Sequence, residues 1–111
     1  MAAGKSERRK HPRKDLQCPV TLAGQGNQVI ARTRSLNISD GGLFMTVPGE
    51  ATLEVGTVLH VQFALPRSTP NTFMLEPFAC DGRVVRRQPA GKGNVGAALQ
   101  FSRPLDLQMD V

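Results

Sequence analysis

Asn37-Ile38-Ser39-Asp40-Gly41-Gly42 sits between two strand-like runs, residues 29–36 and 43–47, and the rest of the chain is organised around it. Asn, Ser and Asp side chains bond readily to nearby main chain, and the two glycines accept backbone geometries that a Cβ forbids. The stretch therefore predicts a tight backbone corner. Such a corner can turn successive N–H groups to one side, the geometry of an anion-binding nest.

Outward from the corner, the pattern is one of short β-prone segments. Residues 28–36 alternate, with Val29, Ala31 and Thr33 on one face and Ile30, Arg32 and Arg34 on the other. Residues 16–22 read as an earlier strand, ended by Ala23-Gly24-Gln25-Gly26-Asn27. After the corner, residues 43–47 form a third strand stopped by Pro48-Gly49. In residues 57–65, Leu59, Val61, Phe63 and Leu65 are assigned to the core and His60 to the outer face. A polar loop over residues 66–72 precedes a long segment, 73–87, which Pro77 and Asp81-Gly82 are expected to bend or bulge. Gly91-Lys92-Gly93-Asn94 makes the last turn and residues 95–101 the last strand. No apolar periodicity of 3.6 residues runs to a useful length. The prediction is all-β, a sandwich or barrel, and we take an antiparallel barrel of about six strands. Most of the five phenylalanines are assigned to its core. Ser102 and Pro104 suit the start of a helix, so a C-terminal helical turn of at most two turns is expected over residues 102–111.

Charge is concentrated at one end. Residues 1–14 carry six basic side chains against one acid, Glu7, and so hold the whole net charge of +5. The remaining basic and acidic residues cancel. An anionic partner should meet that arm first. With almost no apolar residue, residues 1–14 are expected to be a flexible basic arm on a domain spanning 15–111. Fully extended, Arg9 and Arg13 would lie about 13 Å apart, so converging on one small ligand needs a bend.

At 111 residues the chain can bury a core without metal or disulfide staples. It has no apolar run of membrane-span length and no hydrophobic segment after its charged N-terminus, which suggests the cytoplasm. Cys18 and Cys80 lack the spacing of a zinc or redox site and are expected to be reduced thiols.

Arg9 and Arg13 form an Arg-x-x-x-Arg pair about 25 residues before Asn37-x-Ser39-x-x-Gly42. This two-part pattern resembles the signature of the PilZ domain family, whose members are cytoplasmic bacterial receptors for cyclic di-GMP built on a small six-stranded β-barrel. The resemblance covers Arg8 to about Phe101, including the Leu-x-x-Gly of Leu53 and Gly56, the strand at Arg83-Val84-Val85 and the closing strand. It implies that Arg9 and Arg13, with Arg8 as a third contact, bind the dinucleotide. Arginine can donate two hydrogen bonds to guanine O6 and N7, pair with phosphate, or stack on a base. Asn37 and Ser39 would meet base or phosphate from the barrel edge, and Gly42 with Gly41 would let backbone approach closely. Ligand binding would order the arm and relay second-messenger level to a protein partner. No cofactor is implied. A helix that commonly closes such domains has little chain left to form here.

Other classes fit less well. No His/Asp/Ser or Cys/His arrangement, metal-ligand cluster or Walker loop is present, so the reading is a non-enzyme. A basic arm on a small barrel can hold nucleic acid, but residues 15–111 sum to zero charge and the chain has no Trp or Tyr for base stacking. A protein-interaction adaptor of pilus or flagellar machinery, binding no dinucleotide, is the other alternative. Arg83, Arg86 and Arg87 read as a solvated strand end that can widen the positive surface, and His11 and His60 as surface residues.

Overall fold

The computed structural model describes residues 14–49, 51 and 53–108. Six strands follow in order: β1 (Pro19–Ala23), β2 (Val29–Ser39), β3 (Gly42–Pro48), β4 (Val58–Ser68), β5 (Phe73–Gly91) and β6 (Asn94–Phe101). All pairings are antiparallel, and the ring β1-β2-β3-β6-β5-β4 closes because β1 bonds to both β2 and β4. Closure leaves no free edge around the ring itself. The six-stranded barrel expected from strand spacing is the fold.

The core follows the two-residue alternation. Leu59, Val61, Phe63 and Leu65 of β4 point inward, as do Leu43, Met45 and Val47 of β3 and Ala97, Leu99 and Phe101 of β6. Phe63 stacks between Phe78 and Phe101, with ring centroids 5.4 and 5.6 Å away. Phe63, Phe78 and Phe101 pack in the core, as expected of most of the five phenylalanines, whereas Phe44 faces outward and Phe73 is 68% exposed. Both cysteines are free thiols. Cys18 is buried beside Ser35, whose hydroxyl donates to the Leu16 carbonyl at 2.5 Å and accepts from the Cys18 N–H at 3.0 Å. These bonds hold residues 16–18 against β2 outside the regular ladder, so β1 starts at Pro19 rather than Leu16.

Where expectation and structure differ, backbone bonding explains it. β2 runs through Asn37 to Ser39, and the corner over residues 37–42 contracts to the two residues between Ser39 and its partner Gly42. A register shift between Ser35 and Asn37 absorbs Leu36 as a bulge. After it Ile38 is fully buried. Pro77 does not bend β5, which continues for 19 residues. In this half β5 pairs only with β4, where proline's missing N–H need cost no ladder bond. The last turn is as expected, with positive φ at Lys92 (55°) and Gly93 (77°), an I′ hairpin.

The C-terminal helical turn is not present in residues 102–108, which are neither helix nor strand. The N–H of Leu105 donates to the Asp40 carbonyl at 2.8 Å, and that of Leu107 to the Asp40 carboxylate at 3.2 Å. Donors two residues apart that reach one outside acceptor describe an extended strap, and Pro104 has no N–H to give a helix. Leu107 is fully buried, and its carbonyl and that of Gln108 accept from the Arg67 guanidinium. Among the described residues no helix is long and apolar enough to cross a membrane.

Candidate ligand-binding groove

Asn37, Ser39, Gly41 and Gly42 line one groove of about 520 Å³ on the outer surface of the sheet. The Leu36 bulge sets this up: with Ile38 pinned in the core, Asn37 and Ser39 must face the other way. Gly42 lies so close to β6 that an added Cβ would fall 2.0 Å from the Leu99 carbonyl oxygen. Close approach of backbone, and not positive φ, is therefore why glycine stands here; positive φ occurs instead at Gly56, Gly91 and Gly93. Ser39 is 7% exposed and its hydroxyl accepts from the Gly41 N–H at 3.2 Å, which stiffens the hairpin. The Asn37 side chain makes no hydrogen bond to any described residue.

Across the groove stand Phe44 and Ala98, with Val85, Gln100, Ser102 and Pro104 completing the wall. Phe44 is a groove residue that the sequence reading did not single out. Its neighbours Leu43 and Met45 are core, so strict alternation alone puts Phe44 outside. Gly96 makes room for its ring, since a Cβ there would lie 2.7 Å from Phe44 Cζ. The Arg86 guanidinium sits 5.7 Å from the centre of the Phe44 ring, a cation–π contact that places a cation on the groove wall. Arg83 pairs with Gln100 across β5 and β6 and lines an adjoining hollow that shares Gln100 and Ser102 with the groove. Asp40 belongs to the motif but its carboxylate is engaged by the strap, on the Leu107 N–H. The groove lining is thus mixed, polar along the motif and apolar across from it, free of carboxylates and flanked by arginine.

Arg8, Arg9 and Arg13 lie outside the described residues. Lys14 is described, and it exchanges two backbone hydrogen bonds with Ile38, at 2.8 and 2.9 Å. The chain therefore enters the barrel on the residue that separates Asn37 from Ser39. Among the described residues there is no group of three or more His, Cys, Asp or Glu able to hold a metal ion.

These features define a small closed β-barrel that carries a groove on the outside of the sheet, built on an Asn-x-Ser-x-x-Gly hairpin, with a basic stretch of sequence preceding the barrel. The chain belongs to the PilZ domain family, whose sequence model matches residues 7–110. Similar solved structures include the Bacillus subtilis inhibitor of motility MotI/DgrA, with TM-score 0.71 and 22% identity over 87% of this chain and 44% of that one. The PilZ domain of CeSA from a cellulose-synthesizing bacterium gives TM-score 0.58 and 21% identity, covering 87% of this chain and 85% of that one. The PilZ domain of YcgR from Escherichia coli, solved with c-di-GMP, gives 0.54 and 17%, covering 86% and 79%. The chain spans less than half the length of MotI/DgrA. At these identities the likeness is one of fold. No curated protein sequence matches the chain.

Proposed function

We propose that this protein is a cytoplasmic receptor for cyclic di-GMP that holds the dinucleotide between its N-terminal arginines and the groove. The observation that carries this reading is the Lys14–Ile38 pair, which ties the residue after Arg13 to the strand bearing Asn37 and Ser39. A dianionic ligand with two guanines needs positive charge, planar donors and a place for its bases. Arg8, Arg9 and Arg13 supply the first two, through bidentate bonds to guanine O6 and N7 or to phosphate. Asn37 offers its free amide, and Ser39 a hydroxyl already aimed by Gly41. Gly41 and Gly42 line the groove and bring no side chain into it. Phe44 with Arg86 provides a flat apolar and cationic wall against which a base can lie.

The protein works by binding, with no catalytic step. Residues 1–14 act as the arm and 15–111 as the barrel, with Lys14 as the fixed point between them. Closing the arm on the ligand creates a surface that neither part presents alone, and a downstream protein partner reads it. YcgR's PilZ domain, solved with c-di-GMP, supports the choice of ligand.

Calorimetric titration of cyclic di-GMP into the wild-type chain and into Arg13→Ala tests this. Saturable binding is expected, weakened in the variant by about 1–3 kcal/mol if the arginine contact is bidentate. Absence of heat with wild type would overturn the receptor reading and turn attention to a barrel that binds protein only.

A further inference from the structure

The β4–β5 hairpin reaches beyond the ring of the barrel. β1 pairs with β4 only as far as Phe63, and β6 pairs with β5 only from Gly82 onward. Among the described residues, 64–68 and 73–77 therefore have only each other as strand partners. Thr69 and Thr72 exchange backbone bonds at the turn, which sets the alternation of the whole hairpin. By that alternation the nitrogens of Pro66 on β4 and Pro77 on β5 both point to the open edges. The Asp81 carbonyl, with the same parity as Pro77, does point outward, to the Ser102 N–H at 2.9 Å. Each edge thus lacks one donor, which disfavours strand addition on both sides.

The outward face of this hairpin is apolar. Phe73, Leu75, Pro77 and Ala79 on β5 lie beside Ala64 and Pro66 on β4, away from the core phenylalanines. Phe73 is 68% and Leu75 49% exposed. No charged side chain interrupts the face until the His60–Asp81 pair at its barrel end. Its far end holds a shallow hollow of about 580 Å³ whose lining includes Thr21, Gln62, Ala64, Pro77 and Ala79. A knob, Phe73, and a hollow thus share one face, separated by roughly 15–20 Å of strand.

We propose that this face binds a second copy of the chain, about a two-fold axis passing near Leu75. Turning one copy about that axis places each Phe73 in the other's hollow, so both ends of the contact are made at once, as an isologous interface requires. With no charge on the face, nothing selects a partner of opposite sign. The face is one hairpin wide, and a contact of that width lies near the ~1,000 Å² lower limit of a specific interface. The dimer is accordingly weak and concentration-dependent. The edge prolines favour a closed dimer over a fibre. This inference is independent of the ligand reading.

Sedimentation velocity of the full chain from micromolar to millimolar concentration is the test. Wild type is expected to shift from monomer to dimer, and Phe73→Asp and Ala79→Arg are each expected to weaken association about tenfold or more. Val55→Asp, at an exposed apolar site off this face, should leave it unchanged. Mixing Phe73→Asp with Ala79→Arg should restore a heterodimer, because one contact becomes an Asp–Arg pair and the other stays native. Circular dichroism melts of each variant confirm the fold. A wild type that stays monomeric, as expected if the face serves a foreign protein, would overturn the proposal. So would a dimer indifferent to both substitutions, or variants that fail to rescue one another.

Discussion

Lys14 and Ile38 are bonded through both backbone N–H groups, at 2.8 and 2.9 Å, so the basic arm is fastened to the very strand that carries the groove's polar residues. Lys14→Pro removes one of these donors and leaves residues 19–101 untouched. If the fastening presents the arginines to the groove, cyclic di-GMP affinity should fall about fivefold, the equivalent of one hydrogen bond. The barrel's urea midpoint should move little. Calorimetry and urea melts on the same variant separate the two effects.

Asn37 and Ser39 line the groove in different states of engagement. Asn37→Ala removes a side chain with no hydrogen bond to described residues, so ligand affinity should drop about tenfold with a nearly unchanged melting temperature. Ser39→Ala removes the acceptor for the Gly41 N–H as well, and should lower both affinity and stability. Titration combined with thermal melts checks the split.

Gly42→Ala is expected to destabilise the protein by about 1–3 kcal/mol, because its Cβ can be accommodated only by moving β3 away from β6. The overlap is with backbone, the Leu99 carbonyl oxygen at 2.0 Å, which has no rotamer to escape into. Urea denaturation measures the loss. Amide exchange should rise at Leu43 and Leu99, the cross-strand pair next to the intrusion.

Much of this was legible in the residues themselves. Alternation in residues 57–65 placed Leu59, Val61, Phe63 and Leu65 correctly, since a half-buried strand leaves few other arrangements. The motif stretch was legible as a tight corner between two strands but not in its detailed geometry. A bulge at Leu36 decides which side chains face out, and nothing in Ser35-Leu36-Asn37 announces an extra residue. Phe44 was not singled out, because its size argues for the core while the alternation of its buried neighbours puts it outside; the glycine that accommodates it, Gly96, lies on another strand. The C-terminal strap was invisible for the same reason, as its acceptor, Asp40, is more than sixty residues away in sequence.

Ser35 is fully buried and serves two backbone groups at once, the Leu16 carbonyl and the Cys18 N–H. Ser35→Ala should cost about 1–3 kcal/mol by leaving them unpaired, measured by urea denaturation. Ser35→Cys keeps a weak donor and should recover only part of the loss.

Burial pushes the Cys80 thiol from its ordinary 9.0 to about 11, with the Asp81 carboxylate adding to the shift. Below pH 9 the thiol is protonated whether the chain is folded or unfolded, and it contributes no pH dependence. Between 9 and 11 the unfolded chain loses this proton while the folded one retains it, so stability falls as pH rises. Urea midpoints across this range should decline more steeply for wild type than for Cys80→Ala. Equal slopes would show that the thiol ionises in the folded protein as it does in the unfolded chain.

The Asp40 hairpin receives the chain at both ends: Lys14 bonds to Ile38 just before it, and Leu105 to Asp40 itself. Entry and exit are therefore held within roughly 17 Å of each other, a gap that a linker of about six residues can bridge. The barrel is suited to circular permutation, with the ends joined beside the motif and a new opening cut at Pro70-Asn71, in the turn that links β4 to β5. In such a permutant the arginine segment would become an internal loop fixed at both ends, and its freedom to close on a ligand could be set by the length of the join.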